Sequence, residues 1–181
     1  YLYALHSLQK KSPDDGTPLE VSPLDVLQQS AVWLALGLLT WQSRQWFGLI
    51  NTEHDTWQWF GTALPSLLYV VWACQQRAQN FWPVRTQLDL YRMNASVPLV
   101  ILGLAWVLGA ALRATGDPAP LPYLPLLNPI EIMQILILAI SAVWALRYLP
   151  DFKSDILKCL LGLAFLVYTC GVLRAVHHIT D

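Results

Sequence analysis

Between Val97 and Leu112 the chain reads VPLVILGLAWVLGAAL, a run with no charged residue and with apolar side chains on every face of a helix. A helix on the surface of a soluble core carries a polar stripe, whereas a helix that is hydrophobic all round is buried or crosses a membrane. A spanning helix needs about 20 mostly apolar residues. The charge-free run begins at Met93 and reaches that length, so it predicts a transmembrane helix.

Four further stretches are free of charge and mainly apolar. They are Val26–Ser43, Thr56–Gln76, Ile132–Leu146 and Cys159–Leu173. The last two reach spanning length once their interfacial flanks are included. A soluble five-helix bundle is the alternative, but it would need a polar stripe of period 3.6 along each helix. We therefore predict an all-α, polytopic transmembrane bundle of about five spanning helices, near 24–43, 56–76, 94–113, 129–149 and 155–176.

The composition agrees with this class of protein. The chain is 55% hydrophobic and 13% charged, whereas an average soluble domain is about 25% charged. The formal net charge is −1 and the basic residues are dispersed, which argues against nucleic acid as a partner. Cys74, Cys159 and Cys170 lie in apolar runs without metal or redox spacing, so we interpret them as buried free thiols.

The first residues predict that the chain continues an earlier segment. YLYALHSL, residues 1–8, has no basic leader and no small-residue cleavage site, and it is typical of the end of a preceding helix. We expect residues 1–181 to form a single transmembrane helical domain within a longer polytopic protein.

The start of the fourth predicted helix is specified closely in LPYLPLLNPIEIMQ, which runs from Leu121 to Gln134. Asn128 is predicted to be the N-cap, Pro129 the first helical residue and Glu131 the third, where its carboxylate can face the cap. Prolines at 118, 120, 122 and 125 are predicted to hold the approach extended. Asp55 is predicted to cap the second helix.

The basic residues alternate between the predicted loops, with eight on one side and three on the other. The eight are Lys10, Lys11, Arg77, Arg85, Arg92, Arg147, Lys153 and Lys158, and the three are Arg44, Arg113 and Arg174. Cytoplasmic loops hold the excess of Lys and Arg. We therefore predict that loops 44–55 and 114–128 and the C-terminal end lie on the outer side of a bacterial inner (cytoplasmic) membrane.

The predicted outer ends of three helices hold the residues that could perform chemistry. Arg113, Asn128 and Arg174 are candidates for binding an anion or a lipid head group, and Glu131, His177 and His178 are the catalytic candidates. Arg174 and His178 are four residues apart and share a helix face. Structural explanations compete with these roles, because a cation near a helix C-terminus is favourable and long side chains extend toward the membrane interface.

Neither a metal site nor a cofactor is predicted. Neighbouring residues on a helix point about 100° apart, so His177 and His178 would not readily share one ion. The sequence contains no Gly-rich phosphate loop, no nucleophile elbow and no H-E-x-x-H motif. Glu131, Gln134 and Ser141 recur at spacings of three and seven, and we interpret them as a thin polar stripe turned toward neighbouring helices.

Two features resemble a known family. LPYLPLLNPIEIMQ, with PLLNP opening a helix, and the closing LRAVHH, an Arg-x-x-His-His end, are similar to bacterial multi-pass predicted membrane proteins grouped as domain-of-unknown-function family 2339. The resemblance covers most of the chain, as the C-terminal portion of a longer polytopic protein. It implies a bacterial inner-membrane protein with many spans, and it supplies no reaction from which a catalytic residue could be transferred.

Two functional hypotheses of different class follow. The first is a non-catalytic integral membrane segment of the bacterial envelope, acting as a scaffold or as part of a transport or assembly unit. Its partners would be the lipid bilayer, the remaining helices of the full-length protein and other envelope membrane proteins. The second is a membrane-embedded enzyme that acts on a lipid-linked or glycan substrate at the outer face, with Arg113 and Arg174 holding phosphate and His177 or His178 as general base.

Overall fold

The computed structural model describes residues 23–53, 55–75, 90–122, 124 and 127–180. In this part of the chain the regular elements are all helical. The five long helices are α1 (Pro23–Gly48), α2 (Thr56–Cys74), α3 (Ser96–Arg113), α4 (Pro129–Tyr148) and α5 (Lys153–Thr180). A π-helical turn, Leu90–Asn94, leads into α3, and a 3-10 turn, Pro150–Phe152, joins α4 to α5. The predicted helix tail at residues 1–8 lies outside the described residues.

The predicted fold class, an all-α bundle with membrane-spanning helices, is confirmed. Within the described residues, three helical segments are long and apolar enough to cross a membrane: Leu90–Arg113, Pro129–Tyr148 and Ser154–Val176. The first two helices are not among them, since α1 contains several glutamines and α2 begins with the polar sequence TWQW. That α1 and α2 also span the membrane, which would give five spans, therefore remains a prediction.

The second helix lies at the centre of the bundle, where it packs against α1, α3 and α4, and α5 packs against α3 and α4. Val107 of α3 and Met133 of α4 are fully buried in the core that these helices form. Large apolar side chains also cover the outside, and Leu34 and Phe165 are 68% and 73% exposed. This distribution is that of a bundle surrounded by lipid, in which an outward-facing Leu carries no penalty.

The cysteines illustrate the same point. All three are free. The prediction that they are buried is correct for Cys74 and wrong for Cys159, which is exposed, while Cys170 is partly buried. Cys159 lies on the long α5, whose candidate span is only 11% buried. An exposed thiol is tolerated there, because lipid can solvate an apolar thiol as well as a protein core can.

The first two helices approach each other closely at Gly61. A Cβ placed on Gly61 would lie 2.7 Å from the Ser43 carbonyl oxygen and 3.0 Å from Cβ of Phe47. Only a residue without a side chain permits this spacing between two helix backbones. Gly61 therefore fixes the position of α1 against the centre of the bundle.

The cap predictions have different outcomes. Asn128 caps α4 as predicted: its Oδ1 accepts a hydrogen bond of 2.9 Å from the Ile130 N–H, and Pro129 is the first helical residue. The Asp55 prediction is wrong, since this carboxylate makes no cap hydrogen bond. It instead accepts from Trp59 Nε1 at 2.8 Å and Thr115 Oγ1 at 3.0 Å, because the connector before α4 lies within reach.

The prediction that the prolines hold this connector extended is also wrong over its described part. The Leu121 N–H donates to the Pro118 carbonyl at 3.0 Å, which closes a turn, and Gly116 has a φ of +78°. Proline fixes φ near −65°, a value shared by extended and turn conformations, so it does not decide between them. The turn is held from outside, where Asn51 Nδ2 and Trp57 Nε1 donate to the Ala119 carbonyl.

Candidate functional site

The end of α3, the start of α4 and the last turns of α5 meet at one place, which we call the polar junction. It consists of the backbone carbonyls of Ala110 and Ala111, the left-handed Gly116, and the side chains of Asn128, Glu131 and Arg174. The sequence predicted that these three side chains lie at one end of the bundle. The structure brings them together.

Asn128 uses both ends of its side chain at the junction. It is only 1% exposed, and besides capping α4 it donates from Nδ2 to the Gly116 carbonyl. A Cβ on Gly116 would lie 3.5 Å from this Nδ2 and 3.0 Å from Cδ of Arg174. Glycine thus meets two requirements there, the positive φ and the close approach of both side chains.

Arg174 reaches from α5 to the end of α3. Its Nη2 donates to the carbonyls of Ala110 and Ala111, each at 3.0 Å. The last carbonyls of a helix lack intrahelical partners and carry partial negative charge, so a guanidinium stabilises them. The other terminal nitrogen, Nη1, is buried and has no hydrogen-bond partner within the described residues. The guanidinium therefore acts as a cap supplied by a neighbouring helix.

Glu131 contacts the same face of α5. Its side chain is buried, with the residue 5% exposed, and its Oε1 lies 3.4 Å from where a Cβ of Gly171 would be. Gly171 and Arg174 are three residues apart and share a helix face. We predict that Glu131 and the Arg174–His178 face approach one another closely enough for a direct or water-bridged contact, and Glu131 Oε1 does lie against this part of α5. The described hydrogen bonds of Arg174 nevertheless go to backbone carbonyls and not to this carboxylate.

Of the other candidates, only Arg113 has a described side chain. Arg113 lies in the last turn of α3, but its side chain is exposed. His177 and His178 lie in the last turns of α5, and their side chains are outside the description. Head-group binding by Arg113 together with Arg174 therefore remains a prediction.

Comparison with known proteins adds one match. The sequence profile of the family described as Predicted membrane protein (DUF2339) matches residues 2–180, almost the whole chain. The chain belongs to this family. No curated protein and no solved structure matches it. The family assignment and the three spanning-length helices make it a multi-pass integral membrane protein.

The predicted polar stripe lies on the inner side of α4. Gln134 is 1% and Ser141 2% exposed, like the buried Glu131. Gln134 donates from Nε2 to the Val107 carbonyl at 3.2 Å, so it joins α4 to α3 by an interhelical hydrogen bond. The interpretation of this stripe as inward-facing is confirmed.

Sequence reasoning missed two features: a second arginine cap and the turn at Gly116. Arg147 of α4 donates from Nη1 to the Cys74 carbonyl at 2.6 Å, at the end of α2, which makes it a second arginine cap supplied by a neighbouring helix. Gly116 was not singled out, although a glycine before Asp-Pro is a turn signal. For Arg147 the sequence offers no signal, because its partner is a backbone atom 73 residues away.

Metal ligands do not gather in the described residues, where no group of three or more His, Cys, Asp or Glu could hold an ion. A cavity of about 470 Å³ lies away from the junction, in the gap between α1 and α3, with α2 and α4 beneath it. Its walls include Trp33, Gly37, Ser66, Gly103, Trp106 and Ser141. Neither Asn128, Glu131 nor Arg174 lines this cavity.

Proposed function

We propose that this protein is a non-catalytic helical scaffold, or part of a transport or assembly unit, in the inner membrane of a bacterial envelope. In this proposal the described residues are part of one transmembrane domain, and the polar junction lies on the outer side. The lipid bilayer and other membrane helices are its partners.

The hydrogen bonds that the candidate side chains make within the fold support this proposal. The polar ends of Asn128 and one terminal nitrogen of Arg174 hydrogen-bond to groups of this chain. An arginine that binds a phosphate uses its planar fork toward the ligand. Here Nη2 bridges two carbonyls at a helix end, and Nη1 is buried against the connector. These contacts favour a role in holding the three helix ends together.

The alternative is a membrane-embedded enzyme acting on a lipid-linked or glycan substrate at the outer face. One observation favours it: the ends of α3, α4 and α5 converge, as such a site would require. In that alternative Glu131, His177 or His178 would act as the acid or base.

Conservative substitutions in the full-length protein distinguish the two proposals. Glu131→Gln, His177→Gln and His178→Gln keep side-chain size and remove the capacity for acid–base chemistry. The readout is the cellular defect of the deletion strain after complementation, divided by the amount of protein inserted in the membrane. A scaffold predicts that this ratio stays at the wild-type value for all three variants. Failure of His177→Gln or His178→Gln to complement at the wild-type level of insertion would contradict the scaffold prediction and favour the enzyme alternative.

A further inference from the structure

The cavity between α1 and α3 lies at the middle depth of the bundle. Its wall residues come from the central turns of four helices, for example Thr40 of α1, Ser66 of α2 and Ser141 of α4. On its open side Trp33 is 43% and Leu102 62% exposed. These side chains belong to the outer surface, which in an integral membrane protein contacts lipid. With α1 and α2 spanning the membrane as predicted, a lipid-soluble molecule reaches the cavity directly from the bilayer core.

The walls are apolar with a few hydrogen-bonding groups. Among the described residues that line the cavity there is no Asp, Glu, Lys, Arg or His, so this part of the chain offers an ionic ligand no counter-charge there. The Ser141 hydroxyl has no hydrogen-bond partner within the described residues, although the residue is only 2% exposed. The buried indole N–H of Trp106 also has no acceptor in this part of the chain. Polar groups in hydrocarbon surroundings are unfavourable unless they are hydrogen-bonded.

A phospholipid acyl chain would satisfy neither of these groups. It has no oxygen near the bilayer midplane, and since lipid tails are as apolar as leucine it gains no hydrophobic driving force by entering. A neutral ligand with a carbonyl oxygen would accept hydrogen bonds from the wall and keep its remaining surface in apolar contact. Pockets of about 300–1,000 Å³ with mostly apolar walls and a few polar groups are typical of small-molecule sites.

We propose that this cavity binds a neutral, lipid-soluble carbonyl compound of the quinone class. The Ser141 and Ser66 hydroxyls donate to its carbonyl oxygens, and Trp33 and Trp106 form aromatic walls for its ring. This site is separate from the polar junction and does not depend on the scaffold proposal.

Gly37 provides a direct test because it lies in the wall and a Cβ there would meet no atom within 4 Å. Gly37→Leu would therefore fill the cavity without displacing backbone. Gly162 of α5 is a matched control, since its Cβ would also meet nothing within 4 Å and it does not line the cavity. The full-length protein is placed in phosphatidylcholine nanodiscs and photolabelled with an azidoquinone, with decylubiquinone as the competitor. Labelled peptides are identified by mass spectrometry.

We expect saturable labelling of cavity peptides in the wild type and in Gly162→Leu. Gly37→Leu should raise the decylubiquinone concentration needed for competition by about tenfold or more. A second variant, Ser66→Ala with Ser141→Ala, keeps the cavity open and removes the two serine hydroxyl donors. It should weaken competition by about tenfold through the loss of two neutral hydrogen bonds, whereas the exposed Ser154→Ala should not.

Four results would overturn the proposal. The first is labelling in the wild type that decylubiquinone does not compete. The second is labelling and competition that remain unchanged in both Gly37→Leu and the double serine variant, which would place the quinone elsewhere. The third comes from phosphatidylcholine with a diazirine in the middle of its acyl chain: if this probe labels the cavity and decylubiquinone does not displace it, the occupant is an acyl chain. A cross-link from the cavity to another segment of the full-length protein would likewise show that protein fills it.

Discussion

Replacing Arg174 tests the junction most simply. Its Nη2 donates to the carbonyls of Ala110 and Ala111 at 3.0 Å. In Arg174→Met the apolar stem remains and both hydrogen bonds are lost. The Ala110 carbonyl keeps a bond of 3.2 Å from the Ala114 N–H, but the Ala111 carbonyl retains no other donor within the described residues. The loss therefore falls mainly on one carbonyl at the end of α3.

The size of the effect on stability follows from the hydrogen bonds that are lost. Leaving a buried acceptor without a partner costs about 1–3 kcal/mol, and a hydrogen bond from a charged donor contributes about 1.5–3 kcal/mol. We expect Arg174→Met to lower the free energy of unfolding by about 2–3 kcal/mol. Arg174→Lys should lower it by about 1 kcal/mol, because an ammonium donates to the carbonyls without the planar fork. Arg113→Met, an exposed arginine at the same helix end, should change it by less than about 0.5 kcal/mol.

The assay is equilibrium unfolding by SDS in mixed micelles, followed by the loss of helical circular dichroism. The three variants should rank as Arg174→Met, Arg174→Lys and Arg113→Met in order of decreasing destabilisation. Equal effects of Arg113→Met and Arg174→Met would refute the cap, since one general contribution of positive charge would then explain both. A wild-type stability in Arg174→Met would refute it as well.

Three other predictions concern the cap, the helix crossing and the orientation. Asn128→Ala should lower the free energy of unfolding by about 2–3 kcal/mol, because both the cap and the hydrogen bond to the Gly116 carbonyl are lost. Asn128→Asp should lower it by about 1–3 kcal/mol, because aspartate restores the cap but cannot donate to that carbonyl. Both changes are measured by SDS unfolding. Gly61→Ala should reduce the amount of folded protein in a detergent-extraction assay, because its Cβ clashes with a neighbouring backbone. Gly162→Ala meets no such clash, so it should leave the free energy of unfolding unchanged or raise it by up to about 1 kcal/mol. A cysteine at Asp117 should react with an impermeant thiol reagent in cells with a permeabilised outer membrane, and one at Lys153 only after the inner membrane is opened; the opposite labelling would invert the orientation.

The sequence was sufficient for features that depend on local or periodic information. All-round apolarity over about 20 residues requires a membrane or a large core, so the three spanning-length helices could be predicted without a structure. Asn128 followed by Pro129 predicted the start of α4 because a cap and its helix are adjacent in the chain. Burial of Gln134 and Ser141 followed from their spacing on α4.

The sequence was insufficient where a side chain has a choice of distant partners. Asp55 has the composition of a cap, yet Thr115, 60 residues later, takes one of its oxygens. Asn128→Asp looks harmless from the cap alone, but the second hydrogen bond of Asn128 goes to the Gly116 carbonyl, which sequence alone does not reveal. The targets of Arg174 are backbone carbonyls, and carbonyls have no sequence signature. The position of the cavity depends on how α1 and α3 pack on α2, which no single helix determines.

A double-mutant cycle between Asn128→Ala and Arg174→Met tests the central claim, that three helix ends are joined at one polar junction. The two side chains reach the same connector residue, Gly116, from different helices. Neighbouring residues that share a structural unit show coupling energies of about 0.5–3 kcal/mol, whereas independent sites add within about 0.5 kcal/mol. We expect coupling of at least about 1 kcal/mol for this pair, and additivity when Arg113→Met replaces Arg174→Met as the control. Additivity in the Asn128–Arg174 cycle would contradict the junction.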